Sequence, residues 1–247
     1  MTERRSPSFQ PSSLEAIRAI RELRKTQTRR VLTVRIGGIW TLPYEPYYAE
    51  NDGQLFCMDE YGDYHEAAEW LSLRYGEPGT VWALCEPLHP VGLQCLGRGP
   101  DIAVVAYEDG EAVIDRRYRD GRIAPWRWKV NTLPVYMPVW AARDFVTVED
   151  VRVERLQNIS DEDAIAEGIR WYAHDDEGGH WEVDVPKGTK NVESGLLQTD
   201  DPIEAFAYLW DSINGKKVPW KADPWVTAYT FGNYQRDPGR VMQENKP

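Results

Sequence analysis

The sequence contains little cysteine, and the cysteines present form no recognisable framework. Cys57, Cys85 and Cys95 are odd in number, and no C-x-x-C motif occurs. A set of disulfides or a cysteine-based zinc site is therefore not expected. This cysteine usage fits a reducing compartment, and we predict a cytoplasmic protein.

Long apolar runs are also missing. No stretch of 18 apolar residues occurs, which argues against a membrane-spanning helix. The first ten residues, MTERRSPSFQ, include no apolar segment, so we expect no secretory signal there. We predict that the protein has no membrane partner.

Positive charge is scarce relative to negative charge. Lys and Arg total 29 against 40 Asp and Glu, which gives a formal net charge of −11. This balance disfavours a protein that coats nucleic acid electrostatically, although it leaves room for one cationic pocket. The motifs G-x-x-x-x-G-K-[ST], G-x-G-x-x-G and G-x-S-x-G are absent. Nucleotide hydrolysis by a P-loop and α/β-hydrolase chemistry are therefore not expected.

Aromatic residues with a polar group are abundant, with 11 Trp and 13 Tyr against 5 Phe. Such side chains suit pocket walls and base stacking, although most aromatic side chains fill a core. The 247 residues include 42% hydrophobic residues, which is enough for one large domain. We predict a single domain over residues 11–234, with flexible ends at 1–10 and 235–247.

Capping signals predict three helices. Ser12-x-x-Glu15 is a capping box that opens a helix over residues 14–24, which leads into a strand near Val31. Ser160-x-x-Asp163 opens a short second helix that Gly168 closes. Asp201-Pro202 opens the third, which ends at Asn214-Gly215. The predicted apolar faces are Leu14, Ile17, Ile20 and Leu23 in the first helix, and Phe206, Leu209, Trp210 and Ile213 in the third.

Short strands outnumber the helices. Strand patterns occur at 30–34, 80–84, 102–107, 112–115, 145–156 and 225–231. Six or more short strands with few helices predict an α+β fold that is mostly β, a small mixed barrel rather than a βαβ sheet. Residues 41–74 and 172–200 are predicted as insertions, the second an irregular mobile loop because it is glycine-rich, charged and without period.

The segment LRKTQTRRV places two threonines among cations. One interpretation is that Lys25 complements a helix C-terminus while Thr26 and Thr28 suit the strand that follows. The other is catalytic: a buried Lys25 of lowered pKa acts as the base for a threonine hydroxyl. A fully extended chain would place Lys25 and Thr28 on opposite faces, so this interpretation needs a turn near Thr26.

Two glutamates are further candidates. Glu167 occupies the last turn of the second helix, where the helix dipole disfavours a carboxylate unless a cation answers it. It is a tolerated exposed glutamate, a carboxylate paired with a cation, or a proton donor whose pKa is raised. Glu86 ends an apolar strand before a proline and is either a solvated strand end or a pocket residue.

Two weaker patterns involve aromatic and histidine residues. Cations alternate with tryptophans between residues 126 and 143: Arg127, Lys129 and Arg143 with Trp126, Trp128 and Trp140. This pattern is either a clamp for single-stranded nucleic acid or a set of core aromatic side chains with cations beside them. His174 and His180 flank Asp175 and Asp176, but their spacing matches no known helix or finger site. We predict no metal and no cofactor.

Four blocks, taken in order, resemble the ASCH-domain proteins of the PUA-like superfamily, in the branch common in phage and prophage genomes. The blocks are KTQTRR, YGEPGTVWALCE, MPVWAARDFVTVEDVRVERLQNISDEDAIAEGI and FAYLWDSINGKKVPWKADPWV. The resemblance covers most of residues 14–231. The chain departs from the family pattern at Thr80, Cys85 and Tyr136, where the family commonly has Asp, Arg and His.

The resemblance implies a small closed PUA-like β-barrel with flanking helices and a cleft of nucleobase size. Small bacterial ASCH proteins are amidohydrolases that remove the acyl group from N4-acetylcytidine. By this resemblance the catalytic residues fall on Lys25, Thr28 and Glu167. Substrate-binding roles are expected for Thr26, Arg30, Trp82, Glu86 and Trp140. The expected partner is a nucleoside, a nucleotide or single-stranded nucleic acid held in a pocket. The alternative is a non-catalytic module that binds RNA or modified DNA.

Overall fold

A computed structural model defines the fold of this protein. It describes residues 8–9, 14–32, 34–36, 39–41, 44–49, 54–58, 64–66, 75–87, 89–94, 102–107, 112–115, 137, 142–174, 178–184 and 196–236. The described chain is mixed α+β and mostly strand, as predicted. It divides into two compact units, the first being Met1–Ile17, Gly79–Thr147 and Asn233–Pro247, and the second Arg18–Pro78 and Val148–Gly232.

In chain order, the described elements are β1 (Ser8–Phe9), α1 (Leu14–Arg21), β2 (Gln27–Val31), β3 (Val34–Ile36), β4 (Ile39–Thr41), β5 (Tyr44–Ala49), β6 (Gln54–Met58), β7 (Tyr64–Glu66), β8 (Val81–Leu84), β9 (His89–Gln94), β10 (Ile102–Ala106), β11 (Ala112–Asp115), β12 (Asp144–Arg155), α2 (Asp161–Ala166), β13 (Arg170–His174), β14 (Gly178–Asp184), β15 (Leu196–Thr199), α3 (Pro202–Asn214) and β16 (Trp225–Arg236). Short 3-10 turns lie at Leu156–Asn158 and Trp220–Ala222. The predicted strand at 112–115 has the predicted bounds, and β2 starts three residues before the predicted strand.

In the first unit, β8 is flanked by β1 and β12. β1 runs parallel to β8, whereas β12 is antiparallel to it, with Phe145 opposite Ala83. A second sheet of order β11-β10-β9 is antiparallel throughout. The core of this unit is formed by Ala83, Cys85, Tyr107, Met137, Ala142 and Phe145.

In the second unit, β16 lies between β12 and β2. β16 and β2 are antiparallel, with Tyr229 opposite Thr28 and Ala228 opposite Arg29. Helices α2 and α3 contact each other and cover an apolar cluster of Leu156, Ile159, Ala164, Phe206, Trp210 and Val226. Val31 at the end of β2 packs against this cluster. The face of β2 that carries Val31 therefore faces α2 and α3.

Helix α1 is shorter than predicted. It ends at Arg21, and Leu23 then adopts a left-handed backbone with φ of 58°. The Arg24 N–H bonds back to the Ala19 carbonyl at 2.9 Å, which closes the helix end. The turn leaves Leu23 65% exposed. Its predicted place on the apolar face is therefore wrong, whereas Ile17 and Ile20 are buried. Ser12 of the predicted capping box lies outside the described residues.

The other two predicted helices are confirmed. The Ser160 hydroxyl accepts a hydrogen bond from the Asp163 N–H, and Gly168 adopts the positive φ that follows the end of α2. The Asp201 carboxylate accepts from two N–H groups in the first turn of α3. Phe206 and Trp210 are buried and Leu209 is half-buried, but Ile213 is 47% exposed. The prediction that Ile213 belongs to the buried face is wrong because it lies in the last turn of the helix, beyond the apolar cluster.

The predicted insertions contain regular structure where they are described. Within 41–74, β5, β6 and β7 form an antiparallel sheet of three strands. Within 172–200, β13, β14 and β15 form another, so the predicted irregular loop is wrong for these residues. Trp171 lies opposite Trp181 in this sheet, and Val183 packs with Ala205 of α3. Within the predicted flexible ends, the described residues are β1 and the last two residues of β16.

Candidate functional site

Lys25 and Glu167 meet in the second unit, although 141 other residues separate them in the sequence. The Lys25 Nζ donates at 2.7 Å to the Glu167 Oε2 and at 2.7 Å to the Glu167 backbone carbonyl. Lys25 is 7% exposed and Glu167 is 5% exposed. The cation and the carboxylate singled out from the sequence therefore form a buried ion pair.

The segment that follows α1 binds the C-terminal end of α2. A helix leaves its last carbonyl groups without partners inside the helix. Here the Arg24 Nη1 donates to the Gly168 carbonyl at 3.2 Å, the Lys25 Nζ to the Glu167 carbonyl and the Thr26 N–H to the Ala166 carbonyl at 2.9 Å. Cations at this end also complement the helix dipole. Lys25 thus complements a helix C-terminus, but the helix is α2 and not α1.

Gly168 allows the close approach of Lys25 to the end of α2. Its φ is +95°, and a Cβ atom built on it would lie 2.9 Å from the Lys25 Cβ. Gly79 has a similar φ of +89°, but a Cβ atom built on it would meet none of the described atoms within 4 Å. The two glycines therefore share the same backbone requirement and differ in whether a side chain packs against them.

Gly168→Ala is expected to lower the free energy of unfolding more than Gly79→Ala does. Each substitution places a side chain on a left-handed backbone at a cost of about 1–2 kcal/mol. Gly168→Ala also crowds the stem of Lys25, which adds about 1–3 kcal/mol. Urea unfolding monitored by circular dichroism measures both values. Equal losses would contradict the packing of Lys25 against Gly168.

Arg29 is a third member of the site that sequence reasoning missed. Its Nη1 donates to the Glu167 Oε1 at 3.2 Å, on the carboxylate oxygen that Lys25 leaves open. Its Nη2 donates to the Asp163 Oδ2 at 2.7 Å, and its Nε and Nη2 donate to the Glu154 Oε1 at 3.0 and 2.8 Å. The side chain is fully buried. Its acidic partners come from β12 and α2, so no local pattern in the sequence reveals it.

Burial dominates the electrostatics of Lys25. Loss of solvation lowers the pKa of Lys25, whereas the charge of Glu167 and its hydrogen bond raise it. The nearby charges of Arg30 and Arg29 lower it further, and the net shift is downward from the usual value of a lysine. Neutral Lys25 is therefore reached at a lower pH than in a solvent-exposed lysine.

Arg29 behaves in the opposite way. Burial lowers the pKa of Arg29, but the carboxylates of Glu167, Glu154 and Asp163 outweigh that effect and raise it. Arg29 is therefore the permanently charged member of the pair of cations on Glu167. For Asp163, burial raises the pKa, but the hydrogen bond from Gln27 and the charges of Arg29 and Arg152 together lower it.

Thr28 is buried in β2, but no hydrogen bond joins its hydroxyl to Lys25 or Glu167 in the described part of the chain. Gln27 and Arg29 reach the carboxylates of α2, so the alternation of side chains along a strand directs Thr28 to the opposite face. Arg30 shares that opposite face, where its guanidinium lies 5.7 Å from the centre of the Tyr75 ring. Tyr75 in turn packs edge-on against Tyr229, the partner of Thr28 in the sheet.

Lys25 precedes the strand and is not confined to one face of it. Its pKa responds to Arg30 on one face and to Arg29 on the other. On the face that carries Thr28, the group that acts on Lys25 is the Arg30 charge, and this effect sets no distance between the Lys25 ammonium and the Thr28 hydroxyl. Thr26 lies between them and is half-buried, and its backbone carbonyl accepts from the Phe231 N–H at 2.8 Å.

Glu86 and Trp82, two further predicted binding residues, lie in the first unit. Glu86 is 3% exposed and accepts two hydrogen bonds from Arg143, at 2.9 Å from Nε and 2.7 Å from Nη2. The interpretation of Glu86 as a solvated strand end is wrong because its carboxylate is buried and paired with Arg143, which lies 57 residues further along the chain. Arg143 also stacks on Tyr107 at 3.9 Å. Trp82 is fully buried, and Trp140, like Trp126–Lys129, lies outside the described residues.

The histidine cluster receives no support as a metal site. His180 stacks on Tyr172 with 6.1 Å between ring centres, and Asp175 and Asp176 lie outside the described residues. Among the residues that the structure describes, no group of three or more His, Cys, Asp or Glu side chains is arranged to hold a metal ion. None of the described helices has the length and apolar character needed to cross a bilayer.

Comparison of the chain with protein-family models, with curated proteins and with solved structures found no match. The resemblance to ASCH-domain proteins therefore rests on the four sequence blocks, and the roles that it implies stay predictions.

Proposed function

We propose that the protein is an amidohydrolase that removes an acyl group from N4 of a cytosine nucleoside or nucleotide, in a cleft of a closed PUA-like barrel. The observation that carries this proposal is the buried pair of Lys25 and Glu167 beside the Thr26-x-Thr28 segment. An ionisable lysine with a lowered pKa, held against a carboxylate, is a typical feature of catalytic sites.

The chemistry assigned to these residues is hydrolysis of an amide. The Thr28 hydroxyl attacks the acyl carbon or positions the water that attacks it, and neutral Lys25 takes the proton from the attacking oxygen. The bond between the acyl carbon and N4 then breaks, and N4 takes a proton from the Lys25–Glu167 pair. Where Thr28 is the nucleophile, a water molecule next hydrolyses the acyl-threonine ester, giving its proton to neutral Lys25 and restoring the Thr28 hydroxyl. The products are a free cytosine and a carboxylic acid. Water supplies the oxygen of the acid, so no oxidant or cofactor is consumed.

The binding role in this proposal falls on the face of β2 that carries Thr28 and Arg30. The Arg30 guanidinium can bind the pyrimidine carbonyl or a phosphate through paired hydrogen bonds. Half-buried Tyr75 packs against Arg30 and supplies aromatic surface next to it, while Tyr229 is 1% exposed and packs edge-on against Tyr75. Small cytosine derivatives fit the acidic chain better than a polymer does because a polyanion needs a continuous basic surface.

The experiment is an incubation of the purified protein with a panel of N4-acylated cytosines that differ in acyl group and in the presence of ribose or phosphate. Mass spectrometry follows the loss of the acyl mass. Appearance of the free cytosine with at least one member supports the proposal. If no member is converted, while one of them or a single-stranded RNA binds with a measurable Kd, the protein is a binding module instead.

A further inference from the structure

Glu167 is held by two cations of different kinds. Its Oε2 accepts from the Lys25 Nζ at 2.7 Å, and its Oε1 accepts from the Arg29 Nη1 at 3.2 Å. Lysine can lose its proton within the range in which proteins work, whereas arginine does not deprotonate in proteins. A buried carboxylate left with no cation carries a penalty of several kcal/mol, in order of magnitude. With this arrangement, Glu167 keeps one cationic partner, Arg29, when Lys25 is neutral.

We propose that Arg29 is a positioning residue that acts through Glu167: it remains the cationic partner of the carboxylate while Lys25 gives up and takes back a proton. This inference deepens the proposed function and rests on it for the role of Lys25 as a base. Arg29 itself touches no reacting atom, because its guanidinium is fully buried among Glu154, Asp163 and Glu167.

The network around Arg29 holds the guanidinium in place. Glu154 of β12 accepts from both Nε and Nη2, and Asp163 of α2 accepts from Nη2. Three carboxylates thus fix one guanidinium, and Arg152 adds a second cation to Asp163 at 2.6 Å. Arg152 is 43% exposed and shares no hydrogen bond with Glu167 among the described residues, which makes it a matched control for Arg29.

The charged groups that face Lys25 determine the sign of the expected change. Glu167 at the end of α2 raises the pKa of Lys25, while Arg29 and Arg30 of β2 lower it. The guanidinium of Arg24 donates to the neighbouring Gly168 carbonyl. Without Arg29, a repelling charge is lost and Glu167 depends on Lys25 alone. Both changes favour charged Lys25, so its pKa rises. Each unit of that rise reduces the neutral fraction about tenfold at a given pH below the pKa.

The test is a pH titration of the Lys25 13Cε resonance by NMR in lysine-labelled full-length protein, with the signal assigned by its absence in Lys25→Met. In Arg29→Met the midpoint is expected to rise by about one unit or more, whereas in Arg152→Met it stays at the wild-type value. In turnover assays, Arg29→Met moves the rising limb of kcat to higher pH with KM unchanged, so activity returns as the pH is raised. A merely structural role would lower kcat at every pH.

An unchanged or lower midpoint in Arg29→Met would overturn the inference. If that variant does not fold, Glu154→Gln provides the second test, because removal of one acidic partner frees Arg29 for Glu167 and should lower the midpoint; no change there would overturn the inference too. The titration needs no substrate. If the midpoint shifts but the protein converts no acylated cytosine, the effect of Arg29 on the protonation of Lys25 is supported and the proposed function is contradicted.

Discussion

Lys25→Met is expected to lower kcat for an N4-acylated cytosine by about 100- to 10,000-fold, the range that a general base contributes. The variant keeps the length of the side chain and removes the ionisable nitrogen. We expect it to fold because Arg29 still pairs with Glu167, so the buried carboxylate is not left without a cation. The comparison is made by steady-state kinetics together with circular dichroism of the same preparations. Lys221→Met, at an exposed lysine, is the matched control and should retain full activity.

Substitutions at Thr28 and Glu167 distinguish the role of the hydroxyl from that of the carboxylate. Thr28→Val keeps the shape of a buried side chain and removes the hydroxyl, so turnover should be lost, while Thr28→Ser should retain part of it. Glu167→Gln leaves Lys25 and Arg29 facing an uncharged amide, and we expect impaired turnover with the nucleoside still bound. Wild-type turnover by folded Lys25→Met or Thr28→Val would show that these residues serve only the structure.

Trp210→Ala is expected to lower the free energy of unfolding by about 3–5 kcal/mol, as large-to-small changes of buried aromatic residues do. Trp210 belongs to the cluster between α3 and β16, and its Nε1 donates to the Val218 carbonyl at 2.9 Å. The substitution opens a cavity beside Phe206 and leaves that carbonyl without its partner. Urea unfolding followed by far-ultraviolet circular dichroism measures the loss.

Ile213→Ala is the matched control on the same helix. Ile213 lies one turn beyond Trp210, keeps the same helical periodicity and is 47% exposed. Its truncation should change the free energy of unfolding by no more than about 0.5 kcal/mol. If Trp210→Ala unfolds at the same urea concentration as wild type, α3 is peripheral to the fold.

Local signals account for the parts of the fold that the sequence predicted well. Ser160 and Asp201 each supply a side chain that bonds an N–H of the first helical turn, so the start of a helix is encoded within three or four residues. Short apolar runs, continuous or nearly so, similarly mark β8, β10 and β11. The errors lie where a tertiary contact decides the outcome. Leu23 follows the apolar period of α1, but the chain turns before it, and Ile213 follows the period of α3 beyond the surface that α3 covers.

Ion pairs between distant segments were the least predictable features. Glu167 was singled out because a helix end disfavours its charge, and its cation lies in a segment 142 positions earlier in the sequence. Arg29 differs from its neighbour Arg30 only in the face of β2 that it occupies, and its three acidic partners come from β12 and from α2 and its end. The pair of Glu86 and Arg143 has the same character. Side-chain alternation and burial can be read locally, whereas the partner of a buried charge depends on topology. The closed barrel stays a prediction for the same reason.

The position of bond cleavage in water labelled with 18O tests the proposed amide hydrolysis most directly. Each accepted N4-acylated cytosine is incubated with the protein in H2(18)O, and both products are examined by mass spectrometry. Attack at the acyl carbon predicts one 18O in the carboxylic acid and none in an intact cytosine, with both products missing when Thr28→Val replaces the wild type. Release of the unlabelled amide together with a uracil carrying 18O would place the attack at C4 of the ring and contradict the proposed chemistry.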